Sequence, residues 1–152
     1  MADLDGIFKA YDVRGLVPDQ LDEPLVERIG ASYARFLIGG TEGEVAPSRV
    51  LVGRDMRPSG PGFVAAFARG VTSQGLDVVD LGLCSTDEVY FASGSMDAPA
   101  AMFTASHNPA GYNGIKFCRS GARPLGLDSG LDRVRDDARA DRFLALTGLD
   151  PA

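Results

Sequence analysis

Short apolar runs alternate along this chain with longer amphipathic stretches, and that alternation limits the architecture more than any other feature. Residues 49–53, 76–81, 98–103 and 114–119 read as buried strands, too short for helices and bounded by turn formers. From Pro24 onward Leu25, Ile29, Tyr33, Phe36 and Leu37 recur at three- and four-residue spacing, which predicts a helix closed by Gly39 and Gly40. A second helix is expected over Ser59–Gln74, packing Phe63, Phe67 and Val71. Ser85 followed by Glu88 has the spacing of a capping box, so a short helix should open there and run to about Ala92. Phe8–Val13 is expected as a first strand, residues 41–47 as a loop and Asp128–Phe143 as a last helix, with no clear element over residues 144–152. On that last helix Arg133, Arg135, Arg139 and Arg142 alternate with Asp132, Asp136, Asp137 and Asp141, the pattern of a solvated face. Strands separated by helices make an α/β domain, expected here as a three-layer α/β/α unit with a mixed, mostly parallel sheet.

A chain of 152 residues suits one domain with a core that needs no staples. It has no apolar run long enough to cross a bilayer, and it opens on Asp3 and Asp5 instead of a basic segment followed by an apolar one. The expectation is therefore a cytoplasmic protein with no membrane partner. Cys84 and Cys118 lack metal-ligand spacing and sit in apolar surroundings, so they read as reduced core residues. A net charge of −6 disfavours nucleic acid as a partner.

The chemistry concentrates in Thr104–Lys116, Thr-Ala-Ser-His-Asn-Pro-Ala-Gly-Tyr-Asn-Gly-Ile-Lys. This stretch holds the only histidine, His107, directly after Ser106, and it closes on Lys116, one of two lysines in the chain. Pro109, Gly111 and Gly114 forbid a helix through it, and strands on both sides hold its ends, an arrangement in which loops display reactive groups. Ser106, Asn108 and Gly111 would serve equally as ordinary turn formers. Against that stands the gathering of a hydroxyl, an imidazole, amides and an ammonium, with glycines that let backbone N–H groups face an anion.

A hydrolase elbow requires Gly-x-Ser-x-Gly, and here Thr104 and Asn108 occupy the glycine positions. A triad would have to use the serine's own neighbour as its base, which is poor geometry. Phosphoryl chemistry fits better, because a phosphoserine's charge and acceptor oxygens need cationic and amide donors around them. Lys9, Arg14, Arg54, Arg57, Lys116 and Arg119 leave the motif segments locally positive inside an acidic protein.

Three ordered blocks carry a family resemblance. Thr104-Ala105-Ser106-His107-Asn108-Pro109, continued by Tyr112-Asn113-Gly114-Ile115-Lys116, resembles the phosphoserine signature of the alpha-D-phosphohexomutases, which include phosphoglucomutase and phosphomannomutase. Ile7–Gly15 resembles their amino-terminal strand and arginine loop, and Val52–Gly60 their next motif. The likeness runs from Ile7 to about Phe143, with residues 1–143 expected as the first, phosphoserine-bearing domain of a four-domain enzyme and residues 144–152 as a tail leading to the next. The Tyr11–Gly15 form is closer to the phosphomannomutase/phosphoglucomutase branch than to the phosphoglucosamine mutases.

The resemblance implies reversible conversion of hexose 1-phosphate to hexose 6-phosphate, glucose or mannose, through a bisphosphorylated sugar. It implies Ser106 as phosphoryl carrier and magnesium ligand, Lys116 for proton transfer, Arg14 on the phosphate, and His107 shaping the loop. Tyr11, Asn108, Arg54 and Arg57 would bind phosphate or sugar, with Arg54, Asp55 and Arg57 also supporting the loop. The other Mg2+ ligands of the family come from an Asp-x-Asp-x-Asp-Arg loop of the second domain, absent from this sequence, so the chain is expected to be inactive alone and to depend on the remaining domains. Two other readings stay open. Gly60-Pro61-Gly62-Phe63-Val64-Ala65, followed by Asp80, fits a dinucleotide fingerprint, although residues 54–59 separate it from the strand and Pro61 lacks a donor. A non-catalytic phosphate-binding or assembly module is the other.

Overall fold

The computed structural model describes residues 3–40 and 45–147. Its elements in chain order are α1 (Leu4–Ile7), β1 (Val13–Leu16), α2 (Glu23–Gly39), β2 (Arg49–Arg54), α3 (Gly60–Ser73), β3 (Asp77–Leu83), α4 (Thr86–Met96), β4 (Ala100–Phe103), β5 (Tyr112–Arg119), β6 (Arg123–Pro124), a 3-10 turn (Leu127–Ser129) and α5 (Leu131–Thr147). The sheet order is β1-β5-β4-β2-β3, with β6 also on β5. Strands β3, β2 and β4 are mutually parallel, while β5 runs antiparallel to β4, β1 and β6. One reversed strand among five that share a direction gives the expected mixed, mostly parallel α/β sheet.

Alternation along the strands sorts their side chains between two layers. Val50, Val52, Ala101, Phe103, Ile115 and Phe117 point into the larger core under α2 and α3. Leu51, Ala100, Met102 and Cys118 face the smaller core against Val89 of α4. In the larger core Phe67 of α3 meets Phe103 edge-on at 5.3 Å and Tyr33 of α2 lies 4.6 Å from Phe117. Fully buried Tyr33 donates its hydroxyl to the Cys118 carbonyl at 2.6 Å, satisfying its polar end as burial demands. These aromatics fix β4 and β5, and so both ends of the loop between them.

Helices α2 and α3 cross through glycines. A Cβ at Gly70 would overlap the Glu27 carbonyl, and one at Gly30 would lie 2.5 Å from the Phe67 carbonyl. Both obstacles are helix backbone, which cannot rotate away. Gly70→Ala is therefore expected to destabilise the domain by about 1–3 kcal/mol despite alanine's better helix propensity. Urea unfolding checks this; a variant as stable as the parent would show that the helices slide apart freely.

Several boundaries differ from the sequence reading. Residues expected to begin the first strand instead close α1: Asp3 caps it through the Gly6 amide and the Phe8 amide bonds the Leu4 carbonyl. A turn with Lys9 N–H on the Asp12 carbonyl follows, and the strand starts at Val13. The Ser85–Glu88 capping box is present with both bonds, but α4 runs past Ala92 to Met96. Ser93 is tolerated inside because its hydroxyl donates to the Ala98 carbonyl at 2.7 Å. The last helix begins at Leu131, after the 3-10 turn, and continues past Phe143 to Thr147; residues 148–152 of the expected tail lie outside the described residues. Its charged face is tied down in part, since Asp137 pairs with Arg35 of α2, while Arg139 and Asp5, paired at 2.8 Å, stay exposed as expected. Cys118 is buried and Cys84 half-buried, both free thiols, and burial pushes both thiols above their ordinary range. No helix among the described residues is long and apolar enough to cross a membrane.

Candidate active site

The carboxyl ends of β2 and β4 lie at the same edge of the sheet, where Arg54 pairs with Phe103, so the segments that follow them, residues 55–59 and 104–111, leave side by side. That edge is where open α/β sheets gather their ligands. The second segment is the loop singled out above. Its residue Ser106 is exposed and takes a left-handed backbone, φ 54°, which costs a non-glycine residue of order 1 kcal/mol or more unless its surroundings hold it.

Buried hydrogen bonds do the holding. The Ser106 amide donates to Thr104 Oγ1 at 3.0 Å, and Thr104 donates to Asp55 Oδ2 at 2.6 Å. Arg57, only 4% exposed, spends its guanidinium on the loop: one terminal nitrogen donates to the carbonyls of Pro109 (2.7 Å) and Tyr112 (3.0 Å), the other to those of Ser106 and Asn108, both at 2.9 Å. Its Nε donates to Asp55 at 3.4 Å. All five N–H groups of a guanidinium are thereby used.

Beyond the loop, Asn113 is fully buried, donating to Ser59 Oγ at 2.8 Å and accepting from the Gly114 amide at 2.8 Å. Gly114 is required where β1 and β4 close in, because a Cβ there would overlap the Val13 carbonyl and lie 2.9 Å from that of Thr104. Arg14 stands opposite Gly114, and residues directly opposite in an antiparallel pair share a face. Lys116, two residues along β5, is on that face too. Arg14 Nε pairs with Asp12 at 3.1 Å, leaving its terminal nitrogens without a hydrogen bond to the described residues, and the Lys116 ammonium and His107 ring also have none. Asn108 binds inward, its side-chain amide donating to the Ala105 carbonyl at 2.8 Å.

The phosphoglucomutase/phosphomannomutase alpha/beta/alpha domain I model matches residues 5–143. The chain belongs to the phosphoglucomutase/phosphomannomutase family. It is 44% identical over 139 residues to phosphohexose mutases of Xanthomonas campestris pv. campestris, covering 91% of this chain and 29% of that protein. A phosphomannomutase of Klebsiella pneumoniae is 38% identical over 146 residues, covering 95% of this chain and 86% of that one. The crystal structure of a phosphoglucomutase/phosphomannomutase family protein from Burkholderia thailandensis superposes with a TM-score of 0.78 at 31% identity, covering 93% of this chain and 31% of that chain. The chain thus spans about three tenths of the length of the Xanthomonas relative.

Within this phosphohexomutase domain the expected residues separate into two groups. Ser106, His107, Arg14 and Lys116 present groups that the protein leaves unpaired; Arg54 ends β2 with its side chain against Gly60 and is likewise free of hydrogen bonds to the described residues. Arg57 does not fit the phosphate-binding role expected of it, because no N–H remains to donate; it supports the loop from beneath. Asn108, its amide turned to Ala105, also shapes the loop. Tyr11 is 77% exposed, so its ring is not spent on core packing. Sequence reasoning missed Thr104, Ser59 and Asn113 as loop supports, and only their burial and bonds in the fold reveal it. The dinucleotide reading fails on geometry, since a Cβ on Gly62 would lie 2.6 Å from Glu23 Oε2, placing a carboxylate where a pyrophosphate would sit.

The donor set also bears on magnesium. Among the described residues there is no cluster of three or more His, Cys, Asp or Glu arranged for a metal, and Asp55, the carboxylate nearest the loop in the network, is committed to Thr104 and Arg57. These residues do not make an oxygen cage for magnesium, which demands near-octahedral geometry.

Proposed function

We propose that this chain is the phosphoserine-bearing domain of a phosphohexomutase, with Ser106 as the phosphoryl carrier and a hexose phosphate, of glucose or mannose, as the substrate. The observation that carries this is the exposed Ser106 hydroxyl on a strained loop that four carbonyl contacts from a buried arginine hold rigid, with the Lys116 ammonium and the terminal nitrogens of Arg14 on the neighbouring strands free of hydrogen bonds to the described residues. In the transfer the free hydroxyl of the sugar attacks phosphorus, the bond to Ser106 Oγ breaks, and the proton lost by the sugar ends on Oγ. Lys116 is the candidate carrier of that proton. Arg14 offers its terminal N–H groups to the phosphate, and His107, Arg54 and Tyr11 line the approach. Any magnesium ligands beyond a phosphoryl oxygen on Ser106, and the remaining sugar contacts, belong to parts of the longer protein outside these residues. A cytoplasmic location fits phosphosugar metabolism.

The test is to incubate the parent protein with a hexose 1,6-bisphosphate and map the incorporated phosphate by mass spectrometry. Phosphate on Ser106 alone is expected. Phosphate on another residue, or none on an active enzyme, removes the assignment, and the absence of both phosphate and activity leaves the binding-module reading.

A further inference from the structure

We propose that Arg57 is a positioning residue that turns the amide N–H groups of His107 and Ala110 outward as a backbone cradle for the phosphate on Ser106. The proposal rests on the reading of Ser106 as the phosphoryl carrier and adds which groups bind the phosphate and what aims them. In a trans peptide the carbonyl and the following N–H point in opposite directions. The guanidinium, buried beneath the loop, draws in the Ser106 carbonyl at 2.9 Å and the Pro109 carbonyl at 2.7 Å. The N–H groups on the far sides of those two peptides belong to His107 and Ala110, and they must point away from Arg57, toward solvent.

The hydrogen-bond inventory agrees. The amides of Ser106, Asn108 and Tyr112 donate within the loop, to Thr104, Ala105 and Pro109, whereas those of His107 and Ala110 donate to no described residue. Both residues are exposed, as is Ser106, so hydroxyl and free amides share the solvent side. Backbone amides converging from successive turn residues make anion-binding concavities. The other two carbonyls on Arg57 release no such donors there: Asn108 is followed by Pro109, which has no N–H, and Tyr112 by Asn113, which enters the strand. Lysine could not replace Arg57, since one ammonium with three donors cannot span four carbonyls.

The experiment uses the 15N-labelled chain with phosphoserine incorporated during synthesis at position 106, compared with the unmodified chain by NMR. The expected result is a downfield shift of the His107 and Ala110 amide protons on phosphorylation, with phosphorus–nitrogen coupling across the hydrogen bonds, and no change at the Val50 and Leu51 amides, buried in the sheet. In Arg57→Lys the response at both loop amides should be lost while the sheet amides stay in place. If Arg57→Lys does not fold, the unsubstituted phosphorylated chain still decides, because silent His107 and Ala110 amides overturn the cradle. A full response surviving in folded Arg57→Lys overturns the role of Arg57. Because the phosphate is built in, these failures are separate from failure of Ser106 to acquire phosphate from a sugar.

Discussion

Ser106→Ala in the longer protein is expected to abolish phosphoryl transfer, lowering turnover by about 10^4-fold or more, while leaving the domain folded. The two halves follow from different facts. The other hydroxyl of residues 104–111, that of Thr104, is buried and donates to Asp55, so no neighbour substitutes for Ser106 in this scheme. Yet the Ser106 hydroxyl makes no hydrogen bond to the described residues; the bonds at this position belong to the Ser106 amide and carbonyl, which alanine retains. Stability should therefore change by less than about 0.5 kcal/mol. Ser106→Gly should even gain about 0.5–1 kcal/mol, since glycine accepts φ 54° without a steric cost, and should be equally inactive. A coupled assay of hexose 6-phosphate formation with thermal melts of all three proteins checks this. Activity in Ser106→Ala would remove the central assignment; a collapse of its stability would mean that the hydroxyl is structural.

The α/β class and most elements were legible because burial pattern and caps agree locally. The α2 helix has its apolar spacing, the Asp22 cap and a glycine at its end, and α4 has a capping box formed as its residues specify. Failures arose where a side-chain bond a few residues along the chain outweighed the preference read from the apolar pattern. The pattern around Ser93 does not announce that its hydroxyl will reach the Ala98 carbonyl as α4 continues. Phe8 has the look of a strand residue, but Asp3 stabilises a helical turn ahead of it.

The site shows the same division more sharply. That one loop gathers the chain's rare His and Lys beside a serine could be read directly. Which arginine is buried against backbone carbonyls and which keep free terminal nitrogens could not, since Arg14, Arg54 and Arg57 are chemically identical and only burial separates them. The Asp55–Thr104–Ser106 chain joins residues forty-nine positions apart, and no local pattern encodes that pairing.

The second large effect is expected at that buried arginine. Arg57→Met keeps much of the side chain's length and apolar volume but removes every donor, leaving the carbonyls of Ser106, Asn108, Pro109 and Tyr112 without their shared partner and Asp55 without its counter-charge. Each stranded carbonyl that water cannot reach costs about 1–3 kcal/mol, and unpairing a buried charge costs about 3–5 kcal/mol. Water will enter an exposed loop and recover part of this, so the net expectation is about 3 kcal/mol in urea unfolding. The loss should be local first, appearing as fast amide exchange at residues 104–112 before the sheet of β2, β4 and β5 opens. Combining Arg57→Met with Asp55→Asn should cost less than the two changes separately, because each already removes the same ion pair. A loss below about 1 kcal/mol for Arg57→Met, or exchange that rises uniformly across the domain, would mean that the Ser106 loop keeps its shape through β4 and β5 without the guanidinium beneath it.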